Sequence, residues 1–370
     1  MRMTGAVLEE CGRSGPYAHT VPLTVAELEL APPQAGELLV RMEAAGVCHS
    51  DLSVVNGDRI RQVPMLLGHE ACGIVEAVGA GVELSPGQRV VMVFQPRCGT
   101  CEACQAGGRR LCERGNAANA GGTLLGGGTR LSRDNEPVSH HSGVSGFATH
   151  AVVHRSSVIP IPDDVPAHVG ALLGCAVLTG GGAIKNAAQL RPGERVVVFG
   201  AGGVGMAAAL VAAALGAARV TVVDPVVSKH ERARAIIADE AMTPAEAAER
   251  GLQADVVVEA TGNARAFAQG VETVASGGRL VAVGLGNPAD AALVNPLAVV
   301  AQSKTIIGSY LGSGDPAQDV PEYVELWRQG RLPIEKLVSA TITLDQVNRA
   351  MDDLASGAAL RQIIAFDPRA

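Results

Sequence analysis

The second half of the chain alternates short, continuously apolar segments with longer segments of helical length. The short segments are rich in Val and Ile, as is typical of strands buried on both faces of a parallel sheet. They are predicted at Val196–Phe199, Arg219–Val223, Asp255–Glu259, Arg279–Gly284 and Lys304–Gly308. A strand–helix–strand order of this kind predicts a doubly wound parallel α/β sheet.

The first half has a different pattern, in which short strands are separated by Gly and Pro turns. Strands are predicted at Leu38–Met42, Gly73–Val78 and Arg89–Phe94, and many short strands of this kind favour an irregular antiparallel β-barrel. The tail is predicted to contain helices around Pro321–Gln329 and Leu344–Ala355, followed by a strand at Gln362–Phe366. We interpret this tail as a return to the first domain.

These patterns and the length of 370 residues predict an α/β protein of two domains. We expect an irregular antiparallel β-barrel-like domain at 1–176 and a doubly wound parallel-sheet domain at 177–312. Residues 313–370 would complete the first domain.

A glycine motif follows the first strand of the predicted parallel sheet. Gly200, Gly202 and Gly205 form G-x-G-x-x-G around Gly203 and Val204, a turn that lets a pyrophosphate approach the backbone and the helix N-terminus. Asp224 ends the next strand, where a carboxylate would accept hydrogen bonds from an adenosine ribose and repel a 2′-phosphate. The motif therefore predicts NAD, and the alternative is a tight turn that binds no ligand.

Four cysteines follow the spacing C-x2-C-x2-C-x7-C within residues 98–112, at Cys98, Cys101, Cys104 and Cys112. Four thiolates on one short loop can close a tetrahedron around Zn²⁺ and so form a structural site. An iron–sulfur cluster is the alternative, but a ferredoxin run continues with x3-C-P. Surplus buried cysteines would be the third interpretation.

Cys48, His69 and Cys175 form a second possible set of ligands, scattered along the chain. Two thiolates and one imidazole leave a fourth zinc position open, as catalysis requires, but spacing alone does not bring these residues together. We interpret Cys11 and Cys72 as ordinary thiols. His140 and His141 lie in a Gly- and Ser-rich segment, residues 113–150, that is expected to be irregular, and we expect both to be solvated.

Charge and composition exclude several other classes of protein. A net charge of −7 argues against nucleic-acid binding. The N-terminus lacks the apolar core of a signal peptide, and no apolar run in the sequence is long enough for a membrane span. We therefore expect a cytoplasmic protein whose cysteines serve metal binding or catalysis rather than disulfides.

Taken together, these residues resemble the zinc-containing medium-chain alcohol dehydrogenases from about residue 5 to Phe366. The resemblance rests on the motifs GVCHSD, LLGHE, the four-cysteine lobe, GCAVLTG, GAGGVG with Asp224, and SGAALRQIIAF. It implies oxidation of an alcohol to an aldehyde or ketone with NAD⁺. The barrel-like domain, 1–176 with 313–370, would be the catalytic domain, and residues 177–312 would be a Rossmann-type NAD-binding domain. It also implies two zinc ions per chain, one catalytic and one structural, and a homodimer or homotetramer.

The resemblance also implies a role for each residue of this chain that stands at a functional position of the family. Cys48, His69 and Cys175 would hold the catalytic zinc, with Glu70 behind it. Asp51 would orient His69, and Ser50 would hydrogen-bond the substrate oxygen. The remaining implied contacts are His49 and Arg361 with the NAD pyrophosphate, Thr179 with the nicotinamide, Lys229 with the adenosine ribose, and Phe94 with the substrate.

The chain departs from the family pattern at Ser53, where many members carry a histidine at the outer end of a proton relay. The route of the proton to solvent is therefore open. Oxidation of a thiol–formaldehyde adduct is an alternative activity. Two alternatives of other classes are a quinone reductase or non-catalytic NAD-binding protein, and a structural or redox-sensing zinc protein. The first class lacks the catalytic ligands, and the second leaves Asp224 and the glycine turn unexplained.

Overall fold

The computed structural model describes residues 1–106 and 110–367, which form two compact units. The first unit comprises Met1–Cys175, Asp315–Pro321 and Val338–Ala370, as far as these are described. The second comprises Ala176–Gly314 and Glu322–Leu337. The second unit thus includes part of the tail that was expected to return to the first domain. The catalytic and NAD-binding roles of the domains stay predictions.

The strands of the described chain are numbered β1–β18 in chain order. They are Arg2–Leu8, Leu23–Leu30, Glu37–Val47, Met65–Leu66, Ala71–Val78, Arg89–Met92, Leu131–Arg133, Glu136–His140, His150–His154, Val158–Pro160, Arg195–Phe199, Arg219–Val223, Glu240–Met242, Ala254–Glu259, Val274–Ala282, Thr305–Gly308, Ala340–Ile342 and Gln362–Ala365.

The α-helices are numbered α1–α13 in the same way. They are Tyr17–Thr20, His49–Val55, Glu102–Gln105, Glu113–Ala120, Ala167–Leu172, Leu178–Gly182, Gly203–Ala214, Ser228–Ile236, Pro244–Glu249, Ala264–Thr273, Pro296–Ala301, Pro316–Arg328 and Val347–Ala355. π-Helical turns at Leu173–Val177 and Ala183–Ala187 continue α5 and α6.

The first unit contains the predicted barrel-like arrangement. A closed barrel has the strand order β1-β2-β7-β8-β4, and a second sheet has the order β10-β6-β5-β3-β18-β17, with β9 also paired to β3. The long strand β3 pairs with β5, β9 and β18, all antiparallel. Apolar side chains from both sheets and from α13 form the core, among them Leu38, Val40, Val47, Phe147 and Met351.

The second unit contains the predicted doubly wound sheet. Its six strands have the order β13-β12-β11-β14-β15-β16 and all neighbours run parallel. Phe199, the last residue of β11, pairs with Val223 on one side and Glu259 on the other. The carboxyl ends of three central strands therefore lie level, which is where α/β sheets of this kind bind ligands. The α/β fold class predicted from the sequence is confirmed.

The segment 113–150 is more regular than predicted. It contains the helix α4, the strands β7 and β8, and the first residue of β9. The expectation of a long irregular loop was wrong because the short strands complete the closed barrel, a long-range pairing that local composition does not show.

The helical segment Ala167–Ala187 is long and apolar enough to cross a membrane by length and composition alone. However, 83% of its most apolar window is buried inside the structure. Burial of this extent is typical of the core helix of a globular protein, so the segment is weak evidence for a membrane span.

Candidate metal centres and dinucleotide turn

Three elements of the first unit bring Cys48, His69 and Cys175 together. Cys48 follows β3 and is the N-cap of α2, and His69 lies just before β5. Cys175 lies on the π-helical turn Leu173–Val177, an irregularity often found at functional sites. The three side chains are at most 4% exposed.

The donor atoms of these residues surround a common point. The Sγ atom of Cys175 lies 3.4 Å from Nε2 of His69, and donor atoms from Cys48, His69, Glu70 and Cys175 all lie within 4.8 Å of one another. Zn–S bonds of about 2.3 Å and Zn–N bonds of about 2.0 Å at tetrahedral angles place such ligands roughly 3.5 Å apart. The donor set and its spacing therefore fit Zn²⁺.

Asp51 orients the His69 ring. Its Oδ1 atom lies 3.0 Å from Nδ1 of His69, and its Oδ2 atom accepts the backbone N–H of Cys48 at 3.1 Å. A proton on Nδ1 leaves the lone pair of Nε2 directed at the cysteines, which is how outer carboxylates fix the tautomer of a ligating histidine. Asp51 is fully buried, so these partners stabilise its charge.

The electrostatics of these side chains favour a thiolate at Cys48 beside a protonated ring at His69. A hydrogen bond with Cys175 holds the pKa of the Cys48 thiol well below its usual range, and the same bond raises the pKa of Cys175. Burial alone would lower the pKa of His69, but the charges of Asp51 and Cys48 raise it well above the ordinary value. Thiolates are the form in which cysteines bind metals.

Glu70 and Arg361 form a buried pair behind the cluster. Burial raises the pKa of Glu70 to about 7, although the charge of Arg361, 3.6 Å away, opposes this. Arg361 also donates to the carbonyl of Val47 at 3.3 Å. The predicted contact of Arg361 with a pyrophosphate stays a prediction, and its pairing with Glu70 was missed because 290 residues separate them in the sequence.

Two glycines make room for this arrangement. A Cβ atom on Gly174 would lie 2.0 Å from the carbonyl oxygen of Met92, and one on Gly46 would lie 2.5 Å from Oε1 of Glu70. Neither position can carry a side chain without a shift of its neighbours. Gly174 thus lets the turn that holds Cys175 lie against β6.

The other residues predicted for the catalytic site lie on or near α2. Ser50 is half-buried on this helix, His49 is exposed, and the hydroxyl of Ser53 donates to the carbonyl of His49 at 2.8 Å. The ring of Phe94 meets the His69 ring edge-on, with centroids 5.3 Å apart and planes at 89°. The structure thus places Phe94 beside His69, and its role toward a substrate stays a prediction.

The four-cysteine lobe also has the geometry of a closed metal site. The sulfur pairs Cys98–Cys104 and Cys101–Cys112 are each 3.9 Å apart, close to the roughly 3.8 Å edge of a tetrahedron with Zn–S bonds of about 2.3 Å. Hydrogen bonds from Thr100 lower the pKa of Cys98 to about 5, and burial raises that of Cys104 to about 12. Cys98 therefore ionises more readily than Cys104.

The glycine turn of the second unit has the predicted conformation. Gly200 has φ +103°, and a Cβ on Gly205 would lie 1.9 Å from the carbonyl oxygen of Gly200. A Cβ on Gly202 would meet no described atom within 4 Å, so the backbone is open there to an approaching group. Gly203 and Val204 begin α7, whose N-terminal N–H groups favour an anion.

Asp224 lies against this turn. Its Oδ2 atom accepts the N–H of Ala201 at 2.9 Å, and Oδ1 accepts the N–H of Val226 at 2.8 Å. The Nζ atom of Lys229 is 3.6 Å from Oδ2, and the ring of His230 meets the backbone oxygen of Asp224 at 2.7 Å. His230 was missed because its burial depends on how α8 packs. Thr179, predicted near the nicotinamide, is buried on α6.

The expectation that His140 and His141 are solvated was wrong. Both are buried, at 0% and 4% exposure, because β8 and the residues after it belong to the first unit's folded core. Nδ1 of His141 lies 3.3 Å from Oδ1 of Asp51. Alternation along β8 places His140 on the buried face of Val138 and could have indicated its burial. No local signal indicates that of His141.

Family models and relatives with known descriptions agree on the family of this chain. The family model described as the alcohol dehydrogenase GroES-like domain matches residues 34–163, and that described as zinc-binding dehydrogenase matches residues 203–329. Alcohol dehydrogenase B of Mycobacterium tuberculosis is 36% identical, over 93% of this chain and 95% of that protein. An NDMA-dependent alcohol dehydrogenase of Amycolatopsis methanolica is 33% identical, over 98% and 99%.

A solved structure agrees with these relatives. The benzyl alcohol dehydrogenase of Acinetobacter calcoaceticus has a TM-score of 0.91 and 30% identity, covering 99% of this chain and all of that one. The zinc-binding dehydrogenase model and the two clusters of donor side chains support zinc as a cofactor. With its mixed barrel and parallel-sheet units and its two metal-ligand clusters, the chain belongs to the zinc-containing medium-chain alcohol dehydrogenase family.

Proposed function

We propose that this oxidoreductase transfers a hydride from an alcohol to NAD⁺, giving an aldehyde or ketone and NADH. The observation that carries the proposal is the buried cluster of Cys48, His69 and Cys175, whose donor atoms converge and whose Nε2 and Sγ atoms lie 3.4 Å apart. Three protein ligands leave one zinc position for a substrate.

Cys48, His69 and Cys175 would hold the catalytic zinc, and Cys98, Cys101, Cys104 and Cys112 would hold a structural one. When bound at the first site, zinc supplies a Lewis acid for the alcohol oxygen. Asp51 keeps His69 in the ligating tautomer. Glu70 offers a further oxygen within 4.8 Å of the other donors, and Arg361 partly offsets its charge.

NAD is the nicotinamide cofactor that the second unit favours. The glycine turn at Gly200–Gly205 and the start of α7 offer N–H groups to a pyrophosphate. Asp224 has one hydrogen bond on each oxygen, so lone pairs remain for the hydroxyls of an adenosine ribose. Lys229, near Oδ2 of Asp224, would complete the ribose site.

Ser50 would take part in removing the proton from the alcohol. A serine hydroxyl both accepts and donates, so it can pass a proton on without holding a charge. Ser53 would stand where relatives place the outer histidine, and its hydroxyl already donates to the carbonyl of His49. The relay of this chain would therefore end in water or in another base.

Benzylic alcohols are the first substrate class to test, because the chain is similar over its whole length to a benzyl alcohol dehydrogenase. Phe94, edge-on to His69, would provide an aromatic wall for such a ring. Thiol–formaldehyde adducts are the second class. Because one relative is NDMA-dependent, NDMA should be included as an electron acceptor beside NAD⁺.

The test combines metal analysis with an activity panel. The purified protein should contain two zinc ions per chain and form NADH from at least one aliphatic, benzylic or terpenoid alcohol. Removal of the catalytic zinc by a chelator should abolish NADH formation, and added Zn²⁺ should restore it. Turnover that survives replacement of Cys48 would contradict the proposed metal chemistry.

We also propose that the chain acts as a cytoplasmic homodimer or homotetramer. Leu293, Leu297 and Val300 are 94%, 72% and 77% exposed. Apolar side chains grouped in this way commonly mark a protein contact. A second copy of the chain is the partner that the family resemblance favours.

A further inference from the structure

One oxygen of Asp51 faces two imidazoles. The Nδ1 atoms of His69 and His141 lie 3.0 Å and 3.3 Å from the same Oδ1 atom. Asp51, His69 and His141 are 0%, 2% and 4% exposed, so solvent does not screen these contacts appreciably. Asp51 therefore couples His141 directly to the metal-facing His69.

The position of His141 indicates which ring nitrogen carries its proton. Nδ1 of His141 makes no aligned hydrogen bond within the described chain, and a buried polar atom of this kind needs a partner. A lone pair on Nδ1 would be repelled by the carboxylate, so we place the proton on Nδ1, the atom that lies 3.3 Å from Oδ1 of Asp51.

His141 also contacts His69 through its ring. The two centroids are 5.5 Å apart, with planes at 83°, and Phe94 meets the same His69 ring edge-on. The aromatic part of His141 thus packs against His69, whereas its N–H group faces Asp51. These two properties can be separated by substitution.

We propose that His141 is a positioning residue that shares the charge of Asp51 with His69. The proposal rests on the proposed function, because it takes Cys48, His69 and Cys175 as ligands of the catalytic zinc. A carboxylate oxygen whose charge is shared between two nearby N–H groups polarises each of them less than it would polarise one alone. Since the outer partner of a ligating histidine sets its basicity, His141 makes His69 a weaker donor to the metal.

The test separates the ring of His141 from its N–H group. His141→Phe keeps an aromatic ring and removes the N–H, whereas His141→Asn keeps an N–H donor near the position of Nδ1. We expect His141→Phe to slow release of the catalytic-site metal to a chelator by roughly tenfold, within the range that outer partners of ligands contribute. The d–d absorption of the Co²⁺-loaded protein should shift in the same variant. His141→Asn should match the wild type in both measurements.

Two control variants show which site releases the metal and whether any histidine substitution has the same effect. Cys48→Ser identifies the release phase of the catalytic site because it removes a ligand there, and His19→Asn changes an exposed histidine of the same unit. Unchanged or faster release from His141→Phe would overturn the proposal, as would a His141→Asn variant that behaves like His141→Phe. If His141→Phe does not fold, His141→Leu takes its place in the comparison with His141→Asn.

Failure of the proposed function would look different. A wild-type protein that binds metal at the four-cysteine lobe alone would overturn both the proposed function and the role of His141. A wild-type protein with two metals per chain and normal turnover, but with metal release insensitive to His141, would overturn the role of His141 alone.

Discussion

The Sγ atom of Cys175 and the Nε2 atom of His69 lie 3.4 Å apart, although the two residues are 106 positions apart in the sequence. The contact joins a π-helical turn to the short segment that precedes β5. The four-cysteine lobe, in contrast, brings its ligands together within residues 98–112. One metal site therefore depends on the folded unit, whereas the other organises its own loop.

The two sites should consequently fail in different ways. Cys98→Ser removes a ligand from a closed site whose binding energy contributes to folding, so we expect a lower Tm. Cys48→Ser should abolish turnover with little change in Tm. Calorimetry, metal content and NADH formation would be compared for both variants, with Cys11→Ser as the control thiol. Equal loss of stability in Cys98→Ser and Cys48→Ser would contradict the division into structural and catalytic sites.

Cofactor selectivity should depend on Asp224. A 2′-phosphate would lie against a buried carboxylate that is 4% exposed, so kcat/KM should favour NAD⁺ over NADP⁺ by at least about tenfold, or ~1.4 kcal/mol. Asp224→Ser should lower the ratio of kcat/KM for NAD⁺ to kcat/KM for NADP⁺. Asp290→Ser, at an exposed acidic residue of the same unit, is the control. Similar kcat/KM for the two cofactors in the wild type would refute the assignment.

Proton transfer from the alcohol should depend on Ser50. The rate of proton release to solvent should be limited because Ser53 stands where relatives have a histidine. We expect Ser50→Ala to lower kcat for alcohol oxidation by about a hundredfold, the lower range for a positioned acid–base group. Ser53→His should raise kcat near neutral pH, because an imidazole with a pKa near ~6.5 can hand protons to water. The pH profile of kcat and its solvent isotope effect would be measured for both variants.

Two outcomes would contradict this proton route. Undiminished kcat in Ser50→Ala would remove the serine from the mechanism. An unchanged pH profile in Ser53→His would show that proton release does not limit turnover. Ser132→Ala, on β7 of the same unit, provides a matched serine control.

His140 should make the protein sensitive to acid. Burial lowers the pKa of His140 to about 3, whereas the unfolded chain takes up this proton near pH ~6.5. Between these values the unfolded state binds more protons, so the free energy of unfolding falls as the pH falls, by up to about 1.4 kcal/mol per pH unit. The contribution is fully present above pH ~6.5.

Removal of this histidine should therefore flatten the pH dependence of stability. His140→Gln keeps an acceptor for the N–H of Arg130, which His140 binds at 3.2 Å. Urea unfolding at several pH values would give the slope of the free energy of unfolding against pH. It would be measured at matched metal content for the wild type, for His140→Gln and for the exposed control His19→Gln. A slope for His140→Gln that equals the wild-type slope would show that another group is responsible.

The exposed apolar side chains on and before α11 should support self-association. Leu297→Glu places a charge where we expect a contact between copies, so it should shift the protein toward smaller species in light scattering. Val227→Glu changes another exposed apolar residue, 66% exposed, and should leave the assembly unchanged. A wild-type protein that is monomeric at all concentrations would contradict the proposed oligomer.

The sequence predicted the elements that depend on local patterns. The β-branched segments at 196–199 and 219–223 became neighbouring parallel strands, because continuous apolar runs of that length are stable when buried on both faces. The glycine turn and the four-cysteine spacing are equally local. The convergence of Cys48, His69 and Cys175 came from the family resemblance, since no spacing rule places such distant residues together.

The sequence could not predict contacts created by tertiary packing. His141 is polar and lies beside glycine and serine, yet it is buried because its side chain faces Asp51. The pairing of Arg361 with Glu70 depends on β18 lying beside β3. Both contacts require the relative placement of elements, which hydrophobic periodicity does not define.

Gly174 has no side chain, yet it helps to define the geometry of the catalytic metal site. A Cβ atom at this position would lie 2.0 Å from the carbonyl oxygen of Met92, and such contacts below 3.0 Å force a shift. In Gly174→Ala the helical backbone would have to retreat from β6, carrying the neighbouring Cys175 with it. A displacement of about 1 Å in a reacting geometry can reduce the rate roughly a hundredfold. Substitutions at Gly174 should therefore reduce activity as a substitution of a metal ligand would, although glycine has no side chain that could bind the metal.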